Sequence, residues 1–130
     1  MREIRTGKDI KELLPLEDKY YIYAMQNEAG KVKIGKTRNI LQRYRALSGS
    51  NAQGNKIIKV YCISTYLYVI ERVMHDKYAQ YRIPGTEWFY DKKDPSGDGL
   101  FDDICRNFGL LLSSPEFARC ERLRGERFDN

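Results

Sequence analysis

Two short stretches hold most of the groups in this chain that could do chemistry. In the first, YYIYAMQNEAGKVKIGKT (Tyr20 to Thr37), a run of tyrosines and apolar residues is followed by three lysines around an Ile-Gly pair. In the second, ERVMH (Glu71 to His75), a carboxylate and an imidazole stand at i, i+4. A carboxylate so placed could hold a divalent cation, and the neighbouring imidazole could assist it or bind phosphate. Between the two stretches, Lys31, Lys33, Lys36, Arg38, Arg43 and Arg45 form six basic residues with no acidic one among them from Lys31 to Arg45. A block of that kind binds phosphate backbones, although a solvated basic face has the same composition. A Glu–His spacing of four likewise arises by chance on solvated helix faces.

These groups need elements to position them. Tyr20 to Gln26 is rich in aromatic and β-capable residues, and Lys31 to Lys36 alternates charged with apolar, so the two read as strands of a β-hairpin. On such strands Tyr21, Tyr23 and Met25 share one side, as do Lys31, Lys33 and Gly35. A register setting Tyr23 across from Lys33 leaves a five-residue connection, which is allowed but not forced; a slip of one residue would send Lys33 to the opposite face. Asn39 to about Leu47 follows as a helix with Ile40, Tyr44 and Leu47 inward. At 3.6 residues per turn Arg43 lies about 40° from Leu47 and about 60° from Ile40, at the edge of the core, while Arg38 and Arg45 face solvent. A guanidinium there would be fixed rather than loose, unless it only snorkels or closes a structural ion pair.

Lys56 to Ser64 reads as a third strand, and Tyr66 to Tyr81 carries the clearest helical period, with Tyr66, Ile70, Val73, Met74 and Tyr81 on one side. Glu71 then sits at the flank of that stripe beside Tyr78, and Lys77 falls within it, where only snorkelling accounts for a charge. RIPGTEWFY leads into a short extended piece, and DKKDPSGDG is a polar connection. Helices follow around Leu100 to Leu112 and from near Pro115, and TGKDIKELLP suggests a leading helix capped by Thr6 and ended by Pro15. The order predicts an α+β fold: a small, mostly antiparallel three-stranded sheet in a β-β-α-β-α core, flanked by helices and extended by helical additions at both ends. Residues 1–130 read as one domain, with the core at about 20–90 and a C-terminal helical extension at about 98–130.

With 42% hydrophobic and 32% charged residues and a formal charge of +5, the composition is that of a soluble globular protein. No apolar run is long enough to span a membrane and the first residues lack a signal-peptide pattern, so a cytoplasmic location is expected. Cys62, Cys105 and Cys120 fit neither a zinc pattern nor a disulfide frame.

In order along the chain, the Tyr-Ile-Tyr of the first strand, the Lys-Ile-Gly of the second, an arginine eight residues after that glycine, and Glu71 resemble the GIY-YIG endonuclease superfamily. The closer similarity is to a phage and bacterial branch whose second motif reads V-K-I-G-x-T, here VKIGKT from Val32 to Thr37. That branch also pairs a glutamate four residues before a histidine with a loop ending E-W-F, here ERVMH and then GTEWF from Gly85 to Phe89. The resemblance covers about Tyr20 to Tyr90. It implies a metal-dependent DNA endonuclease with Tyr23, Lys33, Arg43, Glu71 and His75 in the catalytic site, Glu71 holding Mg²⁺ or Mn²⁺, and Lys31, Lys36, Arg38 and Arg45 toward the DNA. Two positions depart from the pattern: Tyr21 stands for the name-giving glycine and Lys33 for the second tyrosine, which leaves the proton-transfer role open. The superfamily's late asparagine has no clear match, and Glu87 or His75 would take a neighbouring role.

Cleavage of a phosphodiester requires an activated water, neutralisation of the pentavalent phosphate and help for the leaving oxygen. Under this resemblance Arg43 clamps a phosphate oxygen. Tyr23 acts as general base only if a cation, Lys33 or Arg43, lowers its pKa well below about 10. A non-catalytic DNA-binding module on the same fold is the alternative, and a partner-binding protein using its ten tyrosines is a third. Arg119, Arg122, Arg124 and Arg127 near the C-terminus read as a solvated helix face rather than an extension of the DNA track. DNA specificity and oligomeric state are not legible.

Overall fold

The computed structural model describes residues 3–4, 19–48, 56–91 and 99–129. The suggested leading helix, the loop at 49–55 and the connection at 92–98 fall outside them. The described elements are β1 (Glu3–Ile4), β2 (Tyr20–Asn27), β3 (Val32–Thr37), α1 (Ile40–Ser48), β4 (Ile57–Thr65), α2 (Val69–Lys77), a 3₁₀ turn (Ala79–Tyr81), β5 (Trp88–Phe89), α3 (Leu100–Leu112) and α4 (Pro115–Asp129). The fold is α+β, as the element order predicts. The expected three strands form the centre of an antiparallel sheet ordered β1-β4-β2-β3-β5, whose two edges are strands of only two residues.

Apolar residues occupy successive positions of β2, so both of its faces are buried. One face gathers Tyr21, Tyr23, Met25, Val60 and Cys62 under Ile40 of α1, with Tyr44, Leu47 and Trp88 at its rim. The other gathers Ile22, Ala24, Val32, Ile34, Tyr61 and Ile63 under Ile70 and Met74 of α2 and Leu100, Ile104 and Phe108 of α3. Tyr61 and Phe108 stack there with ring centroids 5.4 Å apart.

The hairpin register differs from the one tried on the sequence. Tyr23 lies across from Gly35, and Lys33 across from Met25. The connection still has five residues but is shifted one along, because Asn27 closes it: its Oδ1 accepts from the Lys31 N–H at 2.9 Å, and its own N–H donates to the Lys31 carbonyl at 3.0 Å. The displacement of two positions keeps Tyr23 and Lys33 on one face.

The long helix is shorter than its periodicity suggests, running Val69–Lys77 before the 3₁₀ turn. Its buried stripe is Ile70 and Met74, continued by Tyr78, while Val73 is 54% exposed. That rotation removes the difficulty over Lys77, which is exposed and donates to Asn107 Oδ1 at 2.9 Å. All three cysteines are free thiols. No helix among the described residues is long and apolar enough to cross a membrane.

Candidate functional site

Strand β3 is the axis of the site. On the α1 face, Tyr23 is fully buried with its ring laid over Gly35. A Cβ at position 35 would stand 2.5 Å from Tyr23 Cζ, so only glycine leaves room for the ring. Asn39 caps α1 by accepting from the Gln42 N–H at 3.0 Å. The first turn thus fixed carries Arg43 back over the sheet, where Nη1 donates to the Tyr23 hydroxyl at 3.5 Å. Arg43 is partly buried and Arg45 exposed, as the helix projection predicts.

Burial pushes the Tyr23 hydroxyl up to about 12; the Arg43 charge and hydrogen bond oppose the rise, and the charges of Glu87 and Glu71 add to it. The condition for Tyr23 as a general base, a pKa well below the ordinary one, is therefore not met: desolvation outweighs the cation. Lys33 does not lie across from Tyr23 and spends its charge elsewhere. Its Nζ lies 3.1 Å from Glu87 Oε2 and 5.6 Å from the centroid of the Trp88 ring. The hydrogen bond and charge of Lys33 hold the Glu87 carboxyl below the usual range.

Glu71 and His75 come to the outer edge of β3 from α2. On β3, strand β5 covers Val32 and Lys33, and the next carbonyl, that of Ile34, accepts from His75 Nε2 at 2.7 Å. A carbonyl can only accept, so Nε2 carries a hydrogen whether the ring is neutral or charged. The same N–H faces Glu71 Oε1 at 3.1 Å, while Lys36 Nζ lies 4.0 Å from Glu71 Oε2. His75 therefore has no lone pair at Nε2 to offer a metal or a substrate proton; it fixes the rotamer of Glu71. Its ring also packs edge-on against Phe89, centroids 5.1 Å apart.

The structure thus gathers Tyr23, Arg43, Lys33, Glu87, Glu71, His75 and Lys36 around β3. Lys31 and Arg45 are exposed, and Arg38 lies over the Tyr20 ring with its Cζ 4.9 Å from the centroid. Lys36, which the resemblance sets toward the DNA, also pairs with Glu71, a contact the sequence reading does not include. The signal available was parity, which puts Lys36 on the α2 side of β3 together with Ile34. Gly35 belongs to the site as well, since a glycine inside a strand marks a close approach. Among the described residues no three His, Cys, Asp or Glu side chains gather closely enough to hold a metal by themselves. Glu71, with a side chain 22% exposed, offers one hard oxygen donor set. That suits an ion whose remaining positions are filled by water and phosphate, which is how Mg²⁺ usually binds.

No curated protein and no solved structure matches the chain. The family model of the T5orf172 domain matches residues 19–96, the stretch that holds the hairpin, Arg43, Glu71 and Glu87. The chain belongs to the T5orf172 domain family, a phage-associated domain of the nuclease-related type.

Proposed function

We propose that the protein is a metal-dependent DNA endonuclease with a GIY-YIG-type site built on β3. The observation that carries this reading is the convergence of a buried tyrosine–arginine pair and a partly exposed glutamate on one glycine-bearing strand. Glu71 would hold the Mg²⁺ or Mn²⁺, which when bound supplies charge neutralisation at the phosphate and an acidified water. His75 keeps that carboxylate in place by donating from Nε2. Arg43, fixed at the core edge, offers its planar fork to a non-bridging phosphate oxygen.

Tyr23 works as a phenol in this scheme. With its pKa at about 12 it is protonated at neutral pH, and its buried hydroxyl, accepting from Arg43 Nη1, holds the guanidinium at the core edge. Removal of the water proton then falls to a carboxylate. Glu87 is the one besides Glu71 whose charge reaches Tyr23, and Lys33 keeps it ionised. Lys33 itself, in the place of a second tyrosine, provides positive charge beside Trp88 rather than proton transfer.

The test is a Mn²⁺ titration of wild type beside Glu71→Gln, followed by electron paramagnetic resonance, with cleavage of supercoiled DNA read in parallel. Loss of one bound ion and of cleavage together, with unchanged thermal unfolding, is the expected result. Cleavage that survives EDTA would exclude the metal. Salt-sensitive DNA affinity with no cleavage in any metal would instead leave a DNA-binding module.

A further inference from the structure

Beside the site, at the end of the sheet where β2 begins and β3 and β4 end, three tyrosines each carry a cation over the ring. Lys19 Nζ lies 4.7 Å from the Tyr66 centroid, Lys36 Nζ 4.8 Å from that of Tyr68, and Arg38 Cζ 4.9 Å from that of Tyr20. The Tyr20 and Tyr68 rings are 5.5 Å apart. Three such pairs thus fall together at one end of the sheet. The cluster is also rigidly seated. Gly125 of α4 leaves room for the Tyr66 ring, since a Cβ there would stand 2.8 Å from Tyr66 Cε2. Glu121 ties the Tyr66 N–H at 3.1 Å and the Thr65 hydroxyl at 2.6 Å, and its Oε1 lies 3.7 Å from Lys19 Nζ, so it holds both the ring and the cation over it.

The surface above is partly open. Tyr68 is 44% exposed, and an open cleft of about 230 Å³ runs between Tyr66, Tyr68, Val69 and Arg124. Lys36 belongs both to this cluster and to the Glu71 ion pair, so the cluster adjoins the metal-binding carboxylate. Aromatic faces interleaved with cations match the chemistry of unpaired nucleotides, which bring a π-face and a phosphate at each step. Duplex DNA hides its base faces and would use only the cations.

From this placement we infer that the Tyr20–Tyr66–Tyr68 cluster is a stacking platform for unpaired bases of DNA, and that the substrate is a forked or otherwise unpaired structure whose duplex passes β3. The inference rests on reading the adjoining site as one that meets DNA. Its test is kept separate from cleavage by measuring binding in EDTA.

The full chain is titrated by fluorescence anisotropy into a blunt duplex and into a fork of the same duplex bearing unpaired tails. One tail base near the junction is 2-aminopurine. Wild type should bind the fork about tenfold more tightly than the duplex and quench the 2-aminopurine, that being the scale of one stacked base. Tyr68→Leu should erase the preference while leaving duplex affinity within about twofold, and Tyr68→Phe should keep it. Equal wild-type affinity for both probes would overturn the platform, as would a Tyr68→Leu loss shared equally by both. Fork preference in a protein that never cleaves would sink the nuclease and leave the platform standing. Cleavage without fork preference would do the reverse.

Discussion

Replacing Gly35 with alanine is the most informative small change in this protein, because one methyl group links packing to the site. The new Cβ would stand 2.5 Å from Tyr23 Cζ and 2.9 Å from Cε2. Carbon atoms in contact sit about 3.5–4.0 Å apart, so the ring must retreat by about 1 Å. Tyr23 is fully buried, and there is no open side to retreat toward. Overpacking of this kind costs about 1–3 kcal/mol. The same movement takes the hydroxyl away from Arg43 Nη1, already 3.5 Å distant, and a misplacement of about 1 Å costs on the order of 100-fold in rate.

Urea denaturation and a cleavage assay read the two effects on one sample. A second variant makes the reasoning stricter. Tyr23→Phe removes the hydroxyl but not Cζ or Cε2, so Gly35→Ala should destabilise that background nearly as much as wild type. Tyr23→Leu removes the clashing ring atoms, so there the added cost of Gly35→Ala should shrink by about 0.5–3 kcal/mol, a coupling expected only of residues in contact. Wild-type stability and rate in Gly35→Ala, or strict additivity with Tyr23→Leu, would refute the packing argument.

Three further expectations concern individual side chains. Arg43→Ala should lower the cleavage rate far more than Arg45→Ala, by about 100-fold for a fixed phosphate clamp against little for an exposed neighbour; equal effects would undo the helix-face assignment. The Glu87 carboxyl is held low in the folded state, so its contribution to stability is present above its ordinary value of 4.5 and fades as the pH falls through the lower folded value. Wild-type and Glu87→Gln stability curves should converge in acid and separate above that range, by a small margin because the side chain is 61% exposed and its pair with Lys33 is screened. Glu121→Ala strands the buried Thr65 hydroxyl and the Tyr66 N–H and should cost about 1–3 kcal/mol in chemical denaturation, whereas Glu116→Ala on the same helix should change stability by less than ~0.5 kcal/mol.

What the sequence revealed followed from periodicity, and what it hid followed from tertiary context. Period two sets Tyr21, Tyr23 and Met25 on one side of their strand and Lys31, Lys33 and Gly35 on one side of theirs. The register, shifted two positions from the one tried, decides that Tyr23 and Lys33 share a face. The shift itself came from the turn chemistry of Asn27, whose side-chain bond to Lys31 chooses where the loop starts. Projection at 3.6 residues per turn separated Arg43 from Arg45 correctly. The same projection erred on α2, because Val73 and Met74 are adjacent in the sequence and only the sheet decides which of them is covered.

The charge state of Tyr23 was out of reach altogether. Counting nearby cations predicts a lowered pKa, but the desolvation that reverses it depends on how completely α1 closes over the ring. The pairing of Lys33 with Glu87 was hidden for a related reason: it joins residues 54 apart through a two-residue edge strand. Local patterns are silent about such contacts.

The most direct test of the central claim is cleavage of supercoiled plasmid with Mg²⁺ or Mn²⁺ at low and moderate salt, wild type beside Glu71→Gln. The account predicts nicking or linearisation by wild type alone, abolished by EDTA, with both proteins equally folded. A Glu71→Gln protein that cleaves as fast as wild type would contradict the assignment of Glu71 as the metal-holding group and, with it, the mechanism built on β3.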